Sequence, residues 1–149
     1  MNIIPFEIAI NSLNELDEKK INSQIEYKIY YTQMTDIIKN YFEKDVEISA
    51  LESTSNELIE KIILLKKSKK LKLSNETIDD FRKVLENADL VKFAKYTPEK
   101  KVVIDDKKLL ESVLVETKKA IPNDLEKELE ERKQRERKIE FIKNSRRKK

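Results

Sequence analysis

Apolar residues recur along most of this chain at intervals of three and four, the spacing that lines one face of an α-helix. Pro5 suits a first helical turn, where its missing N–H is no loss. Phe6, Ala9, Ile10, Leu13 and Leu16 then carry a first helix to about Asp17. A second helix is predicted over 22–44, where Ile25, Ile29, Tyr30, Met34, Ile37, Ile38, Tyr41 and Phe42 form a wide stripe suited to the centre of a bundle. The period lapses from Asp45 to Ser53, which reads as an extended connection with Val46, Ile48 and Leu51 turned inward. Thr54 and Glu57 have the spacing of a capping box. They open a third helix whose buried side is Leu58, Ile59, Ile62, Ile63 and Leu65. Ser74 caps a fourth, packed through Ile78, Phe81, Val84, Leu85 and Ala88.

Leu90, Val91, Phe93, Ala94 and Tyr96 follow as an apolar cluster ahead of Pro98. The β-branched run Val102-Val103-Ile104 predicts a short strand paired with the stretch from Val46 to Ile48. Asp105 is placed to cap a fifth helix with Leu109, Leu110, Val113 and Leu114 inside, and Pro122 to start a last one. The pattern therefore predicts a mainly all-α fold of about five packed helices with a two-strand patch. Residues 1–121 form the helical domain, and 122–149 a charged basic tail that is helical or disordered.

Composition changes this picture in two ways. The 149 residues include no histidine, no cysteine and no glycine. Histidine is the side chain whose ordinary pKa lies nearest neutrality, so its absence removes the commonest general acid/base. Without cysteine there is no thiolate nucleophile, disulfide or soft metal ligand. Phosphate-cradling loops and nucleophile elbows need glycine backbone. Turnover is thereby disfavoured against binding, and no catalytic, cofactor-binding or metal-ligating residue is assigned. Second, the net charge of +3 conceals an asymmetry. From Arg132 to Lys149 ten Lys/Arg face only Glu136 and Glu140, which gives +8 and leaves −5 for residues 1–131. An acidic body carries a basic tail. No stretch approaches the roughly 20 apolar residues of a membrane span.

Three segments together resemble a known family. They are Tyr30-Tyr31-Thr32-Gln33-Met34-Thr35-Asp36-Ile37-Ile38, the stretch from Ala50 to Glu57, and the block from Ala88 to Tyr96. In that order, with the approach from Ile4 to Lys20, they look like the cytoplasmic helical domain of Bacteroidota membrane proteins. Those proteins are encoded beside MoxR-type AAA+ ATPases and the von Willebrand factor A proteins of the aerotolerance (Bat) operon. The resemblance covers about residues 3 to 122. It implies an accessory, docking role in a membrane-associated system, with the ATPase or the von Willebrand factor A protein as partner. It also implies a cytoplasmic location, as the cytosolic part of a membrane-anchored protein. Family members often carry glycines before the long helix and before the Ala-Leu-Glu block, where this chain has Asn22-Ser23-Gln24 and Asp45-Val46-Glu47.

The block from Ala88 to Tyr96 offers the sharpest candidate site. Lys92, Lys95 and Tyr96 would face a partner around buried Leu90, Val91 and Phe93. The competing reading has the block simply closing the bundle, with Tyr96 a core residue and its hydroxyl hydrogen-bonded. Glu52, Thr54 and Glu57 are accounted for by helix capping. The pairs Asp79-Asp80 and Asp105-Asp106 lack the spacing of a calcium loop and read as acids favoured in a first helical turn. The lysines between Lys66 and Lys72, and Arg146, Arg147, Lys148 and Lys149 in the tail, are candidates for contact with phosphate of lipid or nucleic acid.

The leading expectation is a non-enzymatic protein–protein interaction domain. The alternative is a small nucleic-acid-binding protein using the third and fourth helices as a helix-turn-helix with the tail as anchor. Against that alternative stand the acidic body and a fourth helix bearing Glu76, Asp79, Asp80 and Glu86.

Overall fold

A side-chain oxygen one residue ahead of a helix can take an amide that would otherwise lack a partner. Among the described residues three α-helices start that way. Ser23 accepts from the Glu26 amide, Thr54 from that of Glu57 and Ser74 from that of Thr77. The computed structural model describes residues 4–122 and 124–147, and the side chains of these apart from 124–128, 130 and 147. Its α-helices are α1 (Ile4–Glu15), α2 (Gln24–Tyr41), α3 (Ser55–Lys67), α4 (Asn75–Phe93), α5 (Lys100–Ala120) and α6 (Asp124–Arg147). The architecture is all-α, and among the described residues there is no strand.

Helix α2 is central, packing on α1, α4 and α5, and α4 adds contacts to α3 and α5. The shared core centres on Tyr31, Met34, Ile38, Tyr41, Phe42, Leu58, Ile62, Phe81 and Leu110, all with 1% or less of their surface exposed. Phe42 lies stacked on Phe81, with centroids 5.4 Å apart and planes 10° apart, and Phe6 meets the edge of Tyr41 at 6.2 Å. Further along the same pair of helices Lys92 reaches Thr35, so α2 and α4 run antiparallel.

Several expectations are corrected. Val102-Val103-Ile104 lies in the first turns of α5, not in a strand. That helix starts at Lys100 rather than Asp105, because Pro98 blocks earlier helix and the buried positions Val103, Asp106, Leu110, Val113, Leu114 and Thr117 form one continuous helical stripe. The intended strand partner is not extended either. Phe42–Val46 continues α2 as a π-helical turn, and Leu51 is exposed. Ile25 and Ile29 lie on the solvent side of α2, since no other helix covers its first two turns on that side. Asp105 and Asp106 sit in the second turn of α5, and Asp106 is buried.

Without glycine the chain still needs left-handed backbone. Glu47, Lys69 and Lys95 take φ of 60°, 61° and 59°. Lys69 stands just beyond α3, where its amide bonds Lys66 O and the next amide bonds Leu65 O. This is the paired hydrogen-bond pattern that glycine normally serves at a helix end. Lys95 plays the same part after α4, where the Tyr96 amide turns back to Leu90 O.

Lysines on α5 tie down the link between α1 and α2. Lys100 Nζ donates to the carbonyls of Glu18 and Ile21, and Lys107 Nζ to that of Leu16 at 2.8 Å. Helix α6 follows Pro122 and, among the described residues, makes no more than a marginal contact with α1 to α5. No helix among the described residues is long and apolar enough to cross a membrane.

A β-carbon in left-handed backbone costs on the order of 1 kcal/mol. Replacing Lys69→Gly or Glu47→Gly should therefore raise the free energy of unfolding by about 0.5–1 kcal/mol, read by urea denaturation. Unchanged or lower stability in both variants would contradict the strain assigned to these turns.

Candidate functional site

Two places in the bundle hold side chains with something to do beyond filling space: a buried carboxyl between three helices, and the exposed end of α4. The buried group is Asp106, with 4% of its surface exposed. Its Oδ2 accepts a hydrogen bond of 2.6 Å from the Tyr31 hydroxyl on α2, and the Asn87 amide on α4 donates to both carboxylate oxygens at 3.2 and 3.3 Å. One carboxyl thus joins α2, α4 and α5.

Burial raises the pKa of Asp106, with Asp105 adding to the rise, while the bonds from Tyr31 and Asn87 oppose it. Burial and the hydrogen bond to Asp106 in turn push the Tyr31 phenol far above its ordinary range. The phenol and the amide donate and the carboxyl oxygens accept, so the node ties the three helices together.

The polar seam continues toward the end of α4. Lys92 Nζ donates to Thr35 Oγ1 at 2.9 Å, and that hydroxyl donates to the Tyr31 carbonyl at 2.9 Å. Burial lowers the Lys92 pKa, the charge of Lys39 adds to this, and Asp36 and Asp89 work the other way. Lys92, singled out as a partner contact, is thus half-buried and turned toward α2. The stretch from Tyr30 to Ile38 and the block from Ala88 to Tyr96 meet at this hydrogen bond.

The environment of the remaining block differs from the expectation. Val91 is fully buried, but Leu90 and Phe93 are 47% and 82% exposed. Tyr96 does not take the core position that the bundle-closing reading gave it. It is a surface residue at the margin of exposure, not a core tyrosine, and Lys95 beside it is exposed. Helix α4 ends here, so no following turn covers these side chains. What the block presents is a small apolar and aromatic surface made by Leu90, Phe93 and Tyr96, with Lys95 at its edge. In the tail, Arg146 is exposed on α6, while the side chain of Arg147 and residues Lys148 and Lys149 lie outside the described residues.

Sequence reasoning missed Asp106 as a site. Its partners lie 75 and 19 residues away, and the only local signal is an acid at a core position of the stripe from Val103 to Leu110. Among the described residues no three acidic side chains converge as a metal site would require. Comparison with protein-family models, curated proteins and solved structures gave no match.

The Asp106 node makes a prediction whose sign follows from its raised pKa. Between the unfolded value of 3.8 and the higher folded value the native state binds more protons than the unfolded chain. Stability contributed by Asp106 is therefore full below that window and is lost as pH rises through it. Asp106→Asn should flatten this fall, so its stability relative to the parent improves from pH 4 to pH 7. A variant whose stability relative to the parent worsens over that range would contradict the raised pKa.

Tyr31→Phe deprives the carboxylate of a charge-assisted bond and should cost about 1.5–3 kcal/mol at neutral pH. The loss should be smaller at acidic pH, where the partner is a neutral carboxyl. A cost that does not depend on pH would show that Tyr31 does not serve the Asp106 charge.

Proposed function

We propose that this chain is a non-enzymatic protein–protein interaction domain of a membrane-associated MoxR/Bat-type system, working on the cytoplasmic side. The observation that carries the reading is the exposure of Phe93 at the end of α4, beside Leu90, Tyr96 and Lys95. A large aromatic side chain in water at a helix end held by core packing is the kind of anchor on which protein interfaces concentrate their binding energy. Lys92 supports this surface from behind by fixing α4 to α2, so its role is positioning rather than contact. The three sequence blocks resembling the Bat/MoxR-associated domain favour the AAA+ ATPase or the von Willebrand factor A protein as the partner. The missing histidine and cysteine favour binding over turnover.

The solvent face of α4 bears Glu76, Asp79 and Glu86, all exposed, against Lys83 and an Arg82 that is paired with Asp79. The face has no excess of positive charge to meet phosphate, which weighs against the nucleic-acid reading.

Purified ATPase or von Willebrand factor A protein from the same genome should bind the full chain. Tyr96→Ala combined with Lys95→Glu should weaken that binding by about tenfold without shifting the melting temperature. Lys92→Glu is unsuited to this test, because it sets a carboxylate beside Asp36 and Asp89 and disturbs packing. Absence of binding to either protein, or binding indifferent to the double substitution, would overturn the proposal.

A further inference from the structure

Among the described residues α6 makes no more than a marginal contact with the other helices, and its composition matches a surface of the bundle. From Glu131 to Arg146 all its side chains are exposed, and seven Lys/Arg stand against three Glu. On one side of the helix, at steps of four and three, lie Arg135, Ile139 and Ile142, followed four residues on by Arg146. Ile139 and Ile142 are 53% and 50% exposed. The solvent face of α4 repeats that spacing with an acid in the first place. Glu86, Leu90 and Phe93 follow one another at steps of four and three. Earlier on this face stand Glu76, Lys83 and Asp79, the last paired with Arg82 at 2.9 Å, so its charge is nearly balanced and Glu86 is the acid beside the apolar pair. The α4 face thus offers an apolar pair beside an acid, and the α6 face an apolar pair between two arginines.

We infer that α6 of one copy of this chain docks on the outer face of α4 of a second copy, and that the exchange is reciprocal. Laid parallel, the two helices set Ile139 on Leu90, Ile142 on Phe93 and Arg135 against Glu86. Laid antiparallel, Ile139 meets Phe93, Ile142 meets Leu90 and Arg146 meets Glu86. Both arrangements bury the two exposed apolar pairs and give Glu86 an arginine.

A symmetric α6–α6 coiled coil fits less well. Its seam would bring Arg132, Arg135 and Arg146 of one helix toward their equivalents, and like charges at a seam repel. Insertion into a bilayer fits less well too, because Phe141 projects from a different side of α6 than Ile139 and Ile142, leaving no continuous apolar face. A reciprocal exchange closes the assembly at two copies and makes the same contact twice. The inference uses Leu90 and Phe93, the same residues that the adaptor reading offers to a partner, so α6 of a second copy and that partner would compete for one surface.

Sedimentation of the full chain in low salt should show a species close to twice the 17.7 kDa of one chain, shifting toward monomer as salt rises. Phe93→Glu on one surface and Ile139→Glu with Ile142→Glu on the other should each abolish the dimer while leaving the helical circular dichroism unchanged. Glu86→Arg should raise the dimer dissociation constant about tenfold, and combining it with Arg135→Glu and Arg146→Glu should restore it. A chain that stays monomeric at high micromolar concentration in low salt overturns the inference. So does a dimer that survives Phe93→Glu, or a monomer whose α6 binds vesicles of anionic lipid.

Discussion

The packing of α2, α4 and α5 turns on one buried carboxyl. Asp106 stands at a position that the helical stripe of α5 would otherwise give to an apolar side chain, and it is satisfied by Tyr31 and Asn87. A buried polar group without partners is more costly than the net gain of the bonds that satisfy it. The three helices must therefore meet in one register to supply both donors, a constraint that apolar packing alone does not impose. The hydrogen bonds from Lys92 to Thr35 and from Thr35 to the Tyr31 carbonyl extend this constraint to the end of α4. What α4 presents to solvent is fixed by what lies behind it.

This arrangement separates two roles that the sequence runs together. Lys92, Lys95 and Tyr96 lie within five residues, yet Lys92 faces the interior while Lys95 and Tyr96 face water. The left-handed backbone at Lys95 makes the difference, because it turns the chain sharply at the end of the helix. Absence of glycine is then a constraint borne at specific turns. Glu47, Lys69 and Lys95 adopt a conformation that glycine reaches at little cost.

Most of the helices were legible in the sequence because their apolar residues keep a period near 3.6, and because Thr54 and Ser74 mark starting points. The strand patch was misread because β-branched residues favour strands only as a weak prior, which the register of α5 overrides. That register becomes visible only when Asp106 is counted among the buried positions, and nothing adjacent in sequence justifies counting it. Leu90 and Phe93 were misplaced for a different reason. Periodicity places a side chain on a face, but not whether a neighbour covers that face at the last turn. The exposed surface at the end of α4 therefore emerges only from the assembled bundle.

The claim on which this account rests is that Asp106 is a buried, hydrogen-bonded carboxyl shared by three helices. Carbon-detected NMR titration of its carboxyl carbon tests this most directly. The account predicts a midpoint above the ordinary value of 3.8, with the ring signals of Tyr31 and the side-chain amide of Asn87 moving at the same midpoint. A midpoint at or below the ordinary value, or a titration that leaves Tyr31 and Asn87 unmoved, would contradict it.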